Sequence, residues 1–190
     1  MTSPSFPSLP RREFLKLGLA GSVAAILPAG CSSYRENVKP EEEEQLQFLS
    51  VKDYAILLAA ADAILPNAHG YPSHRDLGTV NKLDEELAKW EPVRSKDIPV
   101  LLRLIEHGTL IFGYSLSRFT KLSLEDRRDY LVHGWGESSL NLKRAGFVAV
   151  KGLLAFYYFS DPQVWPKLGY DGPWLGRFDI PITEIDGLPA

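Results

Sequence analysis

The sequence predicts an all-α fold, a compact bundle of about five helices. Three observations carry this. Apolar residues recur at helical spacing through most of the stretch from Ser50 to Phe159. No run alternates apolar and polar residues as a half-buried strand would. Ser50 and Ser123 each stand three residues ahead of an acid, the pattern of a capped helix start.

The first helix opens at Ser50-Val51-Lys52-Asp53. Tyr54, Leu57, Leu58, Ala61, Ile64 and Leu65 give it one buried face, and Pro66 stops it. Asp62 lies close to that face. It is expected to bond the following loop or a facing arginine, with a catalytic part as the alternative. Pro66 to Gly78 is a loop holding His69, His74 and Asp76. Such residues can ligate zinc or iron. Their spacing fits no helix-borne motif, however, and a third strong ligand is not evident nearby. A polar loop is the plain reading, and a metal site is the alternative.

A second helix runs from Thr79 to about Trp90. Val80, Leu83, Leu87 and Trp90 form its apolar stripe, and Lys82, Asp84, Glu85, Glu86 and Lys89 its wet side. Asp97-Ile98-Pro99 starts a third, with the acid capping and proline in the first turn. Its polar residues are few, which predicts a central position, and Gly108 and Gly113 allow close packing or a kink. Ser123 starts a fourth helix, to about Trp135, with Arg127, Arg128 and Asp129 wet. A fifth runs from about Ser138 to Phe159. Between Ala145 and Phe159 its only charge is Lys151. A helix apolar nearly all round is buried in a core or covered by a partner.

After Ser160-Asp161-Pro162 and a short helical piece near Trp165, Gly and Pro punctuate an irregular stretch, Gly169-Tyr170-Asp171-Gly172-Pro173-Trp174. Trp165, Tyr170 and Trp174 load it with aromatics. These either fold back on their own core or anchor another protein, since Trp and Tyr are enriched at interface hot spots. The segment Trp165 with Tyr170 to Trp174 is the candidate partner interface.

The chain begins differently. Arg11-Arg12-Glu13-Phe14-Leu15-Lys16 precedes the short apolar run Leu17 to Leu27. Paired arginines ahead of such a run form a twin-arginine export signal. Arg11, Arg12, Phe14, Leu15 and Lys16 carry the motif, with Pro10 where Ser or Thr usually stands. The run is shorter than the roughly 20 residues a spanning helix needs. A general secretory signal is the competing reading. Cys31, the single cysteine, follows Leu27-Pro28-Ala29-Gly30. That partly matches a lipoprotein cleavage box, so lipidation of Cys31 and ordinary cleavage nearby both fit. One cysteine leaves no room for an intramolecular disulfide, a c-type haem attachment motif or a cysteine-ligated cluster.

The chain is thus divided into a signal (1–31), an acidic linker (32–48), a helical domain (49–174) and a tail (175–190). Glu41 to Glu44 in the linker repel one another, which predicts a solvated tether. Setting aside Arg11, Arg12, Lys16 and Glu13 takes 21 basic and 24 acidic residues to 18 and 23, a net charge of −5. Nucleic acid is a poor partner for such a chain. The 45% apolar fraction suits a globular core. No G-x-G-x-x-G nucleotide fingerprint occurs.

The combination resembles the gluconate 2-dehydrogenase subunit 3 family. The resemblance rests on the export signal, Leu49-Ser50 with Ala61-Asp62-Ala63-Ile64-Leu65-Pro66, Arg118-Phe119 with Leu122-Ser123, and Arg127, Trp135, Arg144 and Phe147. Tyr157-Tyr158, Asp161-Pro162, Trp165 and the segment from Gly169 to Trp174 complete it, so it covers about Gln47 to Trp174. It implies a non-catalytic helical subunit that binds no cofactor or metal itself. Such subunits pair with a large FAD-binding dehydrogenase of the glucose–methanol–choline type, often with a cytochrome c subunit carrying haem c. The large subunit commonly lacks an export signal and leaves the cytoplasm bound to the small one. That would explain a signal for folded cargo on a chain with no obvious cofactor site, and it implies a periplasmic, membrane-associated complex. Several such subunits carry more cysteines than this one, so no disulfide role carries over.

Overall fold

Ser50 starts the helix around which the others pack. Its hydroxyl accepts from the Asp53 amide at 3.2 Å, the expected cap. The computed structural model describes residues 34–66, 68 and 70–173. In order, the helices are α1 (Pro40–Glu44), α2 (Val51–Ile64), α3 (Thr79–Lys89), α4 (Pro92–Ser95), α5 (Asp97–Ile111), α6 (Leu124–Asp129), α7 (Asn141–Phe159) and α8 (Trp165–Leu168). A 3₁₀ turn at Phe119–Lys121 precedes α6, and a π-helical stretch, Tyr130–Gly136, continues it. Among the described residues there is no strand. The all-α expectation holds, and five longer helical segments stand where periodicity put them.

Helix α2 is buried on all sides rather than on one face. Ten of its residues are buried, and it touches α3, α5, α6, α7, the 3₁₀ turn and the π stretch. Its five alanines let these neighbours approach closely. The predicted central place of α5 goes to α2 instead. Val100, Leu110 and Ile111 of α5 are exposed, because only its Leu102–Ile105–Thr109 side meets the bundle. Gly108 is required there: a Cβ would lie 2.5 Å from the Tyr130 hydroxyl oxygen.

The π stretch has a packing cause. Tyr130 and Trp135 are five residues apart, both buried, with ring centroids 6.0 Å apart. An α-helix turns residues five apart by about 140° away from one another. The wider i→i+5 turn brings both rings to the core side.

Buried carboxylates staple the bundle. Asp53 takes two bonds from Arg103, at 3.1 and 3.0 Å, joining α2 to α5. Asp84 accepts from the amides of Gln47, Phe48 and Leu49 at 2.6, 3.2 and 2.6 Å. The sequence reading placed Asp84 on the wet side of its helix. It is 1% exposed because three backbone donors replace its water. Asp161 accepts from Lys82 at 2.6 Å, which lowers its pKa.

The linker also differs from a free tether. The Tyr34 hydroxyl donates to Glu106 at 2.9 Å and accepts from Arg118 at 2.9 Å, with that guanidinium 4.8 Å over its ring. Glu106 is fully buried and also takes the Thr120 amide and hydroxyl, at 3.0 and 2.7 Å. Burial, then Glu106, push the Tyr34 pKa far up. Val38 is buried too. The glutamate run forms α1, which buries no residue. The chain is therefore tied to the body on both sides of its acidic run, by Tyr34 before it and Asp84 after it.

Candidate functional site

Helix α7 meets the bundle along one narrow stripe. Gly146, Val150, Leu154 and Tyr158, four residues apart, are buried. Gly146 sits closest: a Cβ would lie 2.7 Å from Leu101 and 2.9 Å from Trp135. The Tyr158 hydroxyl donates to the Pro72 carbonyl at 2.8 Å, fixing the C-terminal half.

The opposite side of α7 is apolar and bare. Leu142, Val148 and Phe156 are 66%, 61% and 65% exposed. Ala145, Ala149 and Gly152 between them are exposed as well, and nothing lies within 4 Å of where a Gly152 Cβ would be. Phe159 extends the face by one more turn. At the other end, the Lys143 ammonium lies 4.1 Å over the Phe112 ring. That contact links the start of α7 to the exposed end of α5, where Ile111 and Leu116 also face water. Continuous apolar surface of this kind marks a binding face on a globular protein.

The predicted interface segment adjoins the C-terminal end of this face. The Trp165 indole N–H donates to the Phe159 carbonyl at 3.0 Å. Its ring stands edge-on to Tyr170, centroids 5.3 Å apart, and covers Gly172. Gly172 has φ +99° and would place a Cβ 3.0 Å from that ring, so no side chain fits there. Trp165 is half-buried and braces the turn, whereas Tyr170, Asp171 and Pro173 are exposed. Trp174 lies outside the described residues. So do Arg11, Arg12, Phe14, Leu15 and Lys16, expected to form an export signal, and Cys31, the candidate for lipidation.

The loop after α2 forms a second polar cluster. Asp62 accepts from His74 Nε2 at 2.8 Å and from Arg75 at 3.3 and 2.9 Å. This is the loop contact expected for Asp62. Burial alone would raise its pKa, but the bonds from His74 and Arg75 outweigh that and hold it at about 2. An acid held so low stays ionised, so the cluster fixes the loop rather than moving protons near neutrality. His74 is buried against Asp62, Asp76 is exposed, and His69 lies outside the described residues. Among the described residues no three His, Cys, Asp or Glu side chains converge as metal ligands do. No described helix is long and apolar enough to cross a membrane.

No protein-family model matches this chain, and neither a characterised protein nor a solved structure does.

The length and apolar character of α7 were legible in the sequence. Which residues stay bare was not, since periodicity in so apolar a run does not single out one face.

Proposed function

We propose that this chain is the non-catalytic small subunit of an exported oxidoreductase complex. It binds a large FAD-dependent dehydrogenase subunit of the glucose–methanol–choline type, helps it fold, and carries it through the twin-arginine route. It stays in the complex at the periplasmic side of the membrane, held by the complex or by a lipid on Cys31. The observation that carries this reading is the bare face of α7. An apolar helix surface left in water by its own fold is what a subunit shows when its partner is missing. The export signal, the lack of a nucleotide fingerprint and the family resemblance support the choice of partner.

Co-expression with a large flavoprotein subunit encoded beside it tests the reading. Replacing Arg11 and Arg12 with Lys keeps the charge but loses the planar fork. Both proteins are then expected to remain in the cytoplasm. Normal export of the partner would overturn the escort role. Val148→Asp with Phe156→Asp should abolish co-purification while the isolated chain keeps its helical circular dichroism. Unchanged co-purification would remove α7 from the interface.

A further inference from the structure

The turn that ends α5 carries apolar side chains that the fold leaves in water. Leu110, Ile111, Phe112, Tyr114 and Leu116 are all exposed, Ile111 by 64% and Leu116 by 98%. From Gly108 to Ser117 no residue carries a charge. The turn is firmly built. The Tyr114 amide donates to the Thr109 carbonyl at 2.8 Å and the Gly113 amide to the Leu110 carbonyl at 3.3 Å. These are the paired bonds of a Schellman end, with Gly113 at φ +70°. An ordered, uncharged, apolar tip of this kind is made to meet another surface.

The N-terminal part of the chain enters the body at the base of this turn. The Tyr34 hydroxyl bonds Glu106 and Arg118, which flank the turn on either side. Ile111 lies five residues beyond Glu106 along α5, about 7 Å at 1.5 Å per residue. Cys31 stands three residues before Tyr34, at most about 11 Å of chain. Leu27, which closes the apolar run of the leader, stands seven before it, at most about 25 Å. A lipid on Cys31, or a leader held in the bilayer, therefore keeps the membrane close to this end of the molecule.

The chemistry of the tip suits a bilayer. The bare face of α7 is flanked by the exposed charges of Arg144 and Lys151, whereas the tip has none. Polar groups gather only at its rim. The Tyr114 hydroxyl donates to Asp129 at 2.9 Å, and the Lys143 ammonium lies over the Phe112 ring and donates to the Gly134 carbonyl at 3.4 Å. Rings and a lysine with their polar ends turned aside belong at the boundary between acyl chains and headgroups. Asp129 has to stay in water, so it marks where entry stops.

We infer that the turn from Leu110 to Leu116 dips into the surface of a lipid bilayer beside the point where the leader joins the body. It enters only the headgroup boundary, about 5–10 Å deep, and so orients the bundle on the membrane. The inference rests on the reading of this chain as an exported, membrane-held subunit.

The test uses the full chain with its leader and with Cys31→Ser, which removes the only other thiol. The environment-sensitive dye NBD is attached through Leu116→Cys and, in a second sample, through Val148→Cys on the bare face of α7. Vesicles of phosphatidylethanolamine and phosphatidylglycerol are added with no partner present. The dye at position 116 should brighten, shift to the blue and be quenched by nitroxide-labelled lipid, while the dye at position 148 stays as in water. Leu110→Asp with Ile111→Asp should cut the response at 116 roughly fivefold, because carboxylates resist leaving water, in a chain of unchanged melting temperature. A dye at 116 that stays in water, whether or not the chain floats with the vesicles, would overturn the inference. So would an equal response at 148, a response that survives both aspartates, or burial of the 116 dye by the flavoprotein subunit and not by vesicles. The escort role is read from the partner's export and co-purification, which the vesicle assay does not involve, so either idea can fail alone.

Discussion

Helices α2 and α7 are both strongly apolar, yet their burial differs. Helix α2 buries ten of fourteen residues, while α7 buries four of nineteen. Helix α2 is ringed by neighbours on every side. Helix α7 lies at the margin, pressed to the π stretch and to α3 along one stripe. Apolar composition is thus the same signal in two situations. One helix buries it within the fold, and the other leaves most of it exposed.

The largest expected effect separates the two helices directly. Leu57→Ala in α2 opens a cavity in the core and should cost about 2–5 kcal/mol of stability. Chemical denaturation of the isolated chain measures it. Phe156→Ala in α7 should leave that stability nearly unchanged and weaken complex formation by about thirtyfold, the loss of roughly 2 kcal/mol typical of an interface anchor. A large stability loss for Phe156→Ala would show that its face belongs to the core, and the contrast between the helices would fail.

Two glycines sharpen the contrast within α7 itself. Gly146→Ala drives a methyl into Leu101 and Trp135 and should destabilise by about 1–3 kcal/mol. Thermal unfolding would register a clear drop.

Acid stability reports on the loop tied to α2. Asp62 has its pKa lowered from 3.8 to about 2, so the folded state favours its ionised form. The resulting stabilisation is present above pH 3.8 and lost as pH falls through about 2. Partial solvent exposure trims it to about 1–2 kcal/mol. Asp62→Asn should flatten the fall in stability between those pH values, and an unchanged slope would contradict the role given to His74 and Arg75.

The smallest effect has the opposite sign. Gly152→Ala meets open space on the bare face and should stabilise the isolated chain by up to about 1 kcal/mol through helix propensity. The same methyl should weaken assembly if the partner packs closely there, so titration of the complex gives a second reading of that surface.

The capped start of α2 at Ser50, its stop at Pro66, the start of α6 at Ser123 and the span of α7 followed from local rules. Caps, proline stops and helical spacing act within a few residues, so the sequence holds them. Asp62 could be assigned to its loop because it stands one turn before it, although its partners lie 12 and 13 residues away. The burial of Asp84 and Glu106 could not. Their donors come from residues 47–49 and from Tyr34 and Thr120, and an acid on a helix looks wet until such donors arrive. The π turn at Tyr130–Gly136 likewise answers to two rings competing for one core. By itself the sequence determined that the body is helical, where α2 and α3 begin and end, and that its last long helix carries more apolar surface than a solvated face tolerates. Only the tertiary structure decided which helix is surrounded and which is left half bare, because burial depends on neighbours distant in the chain.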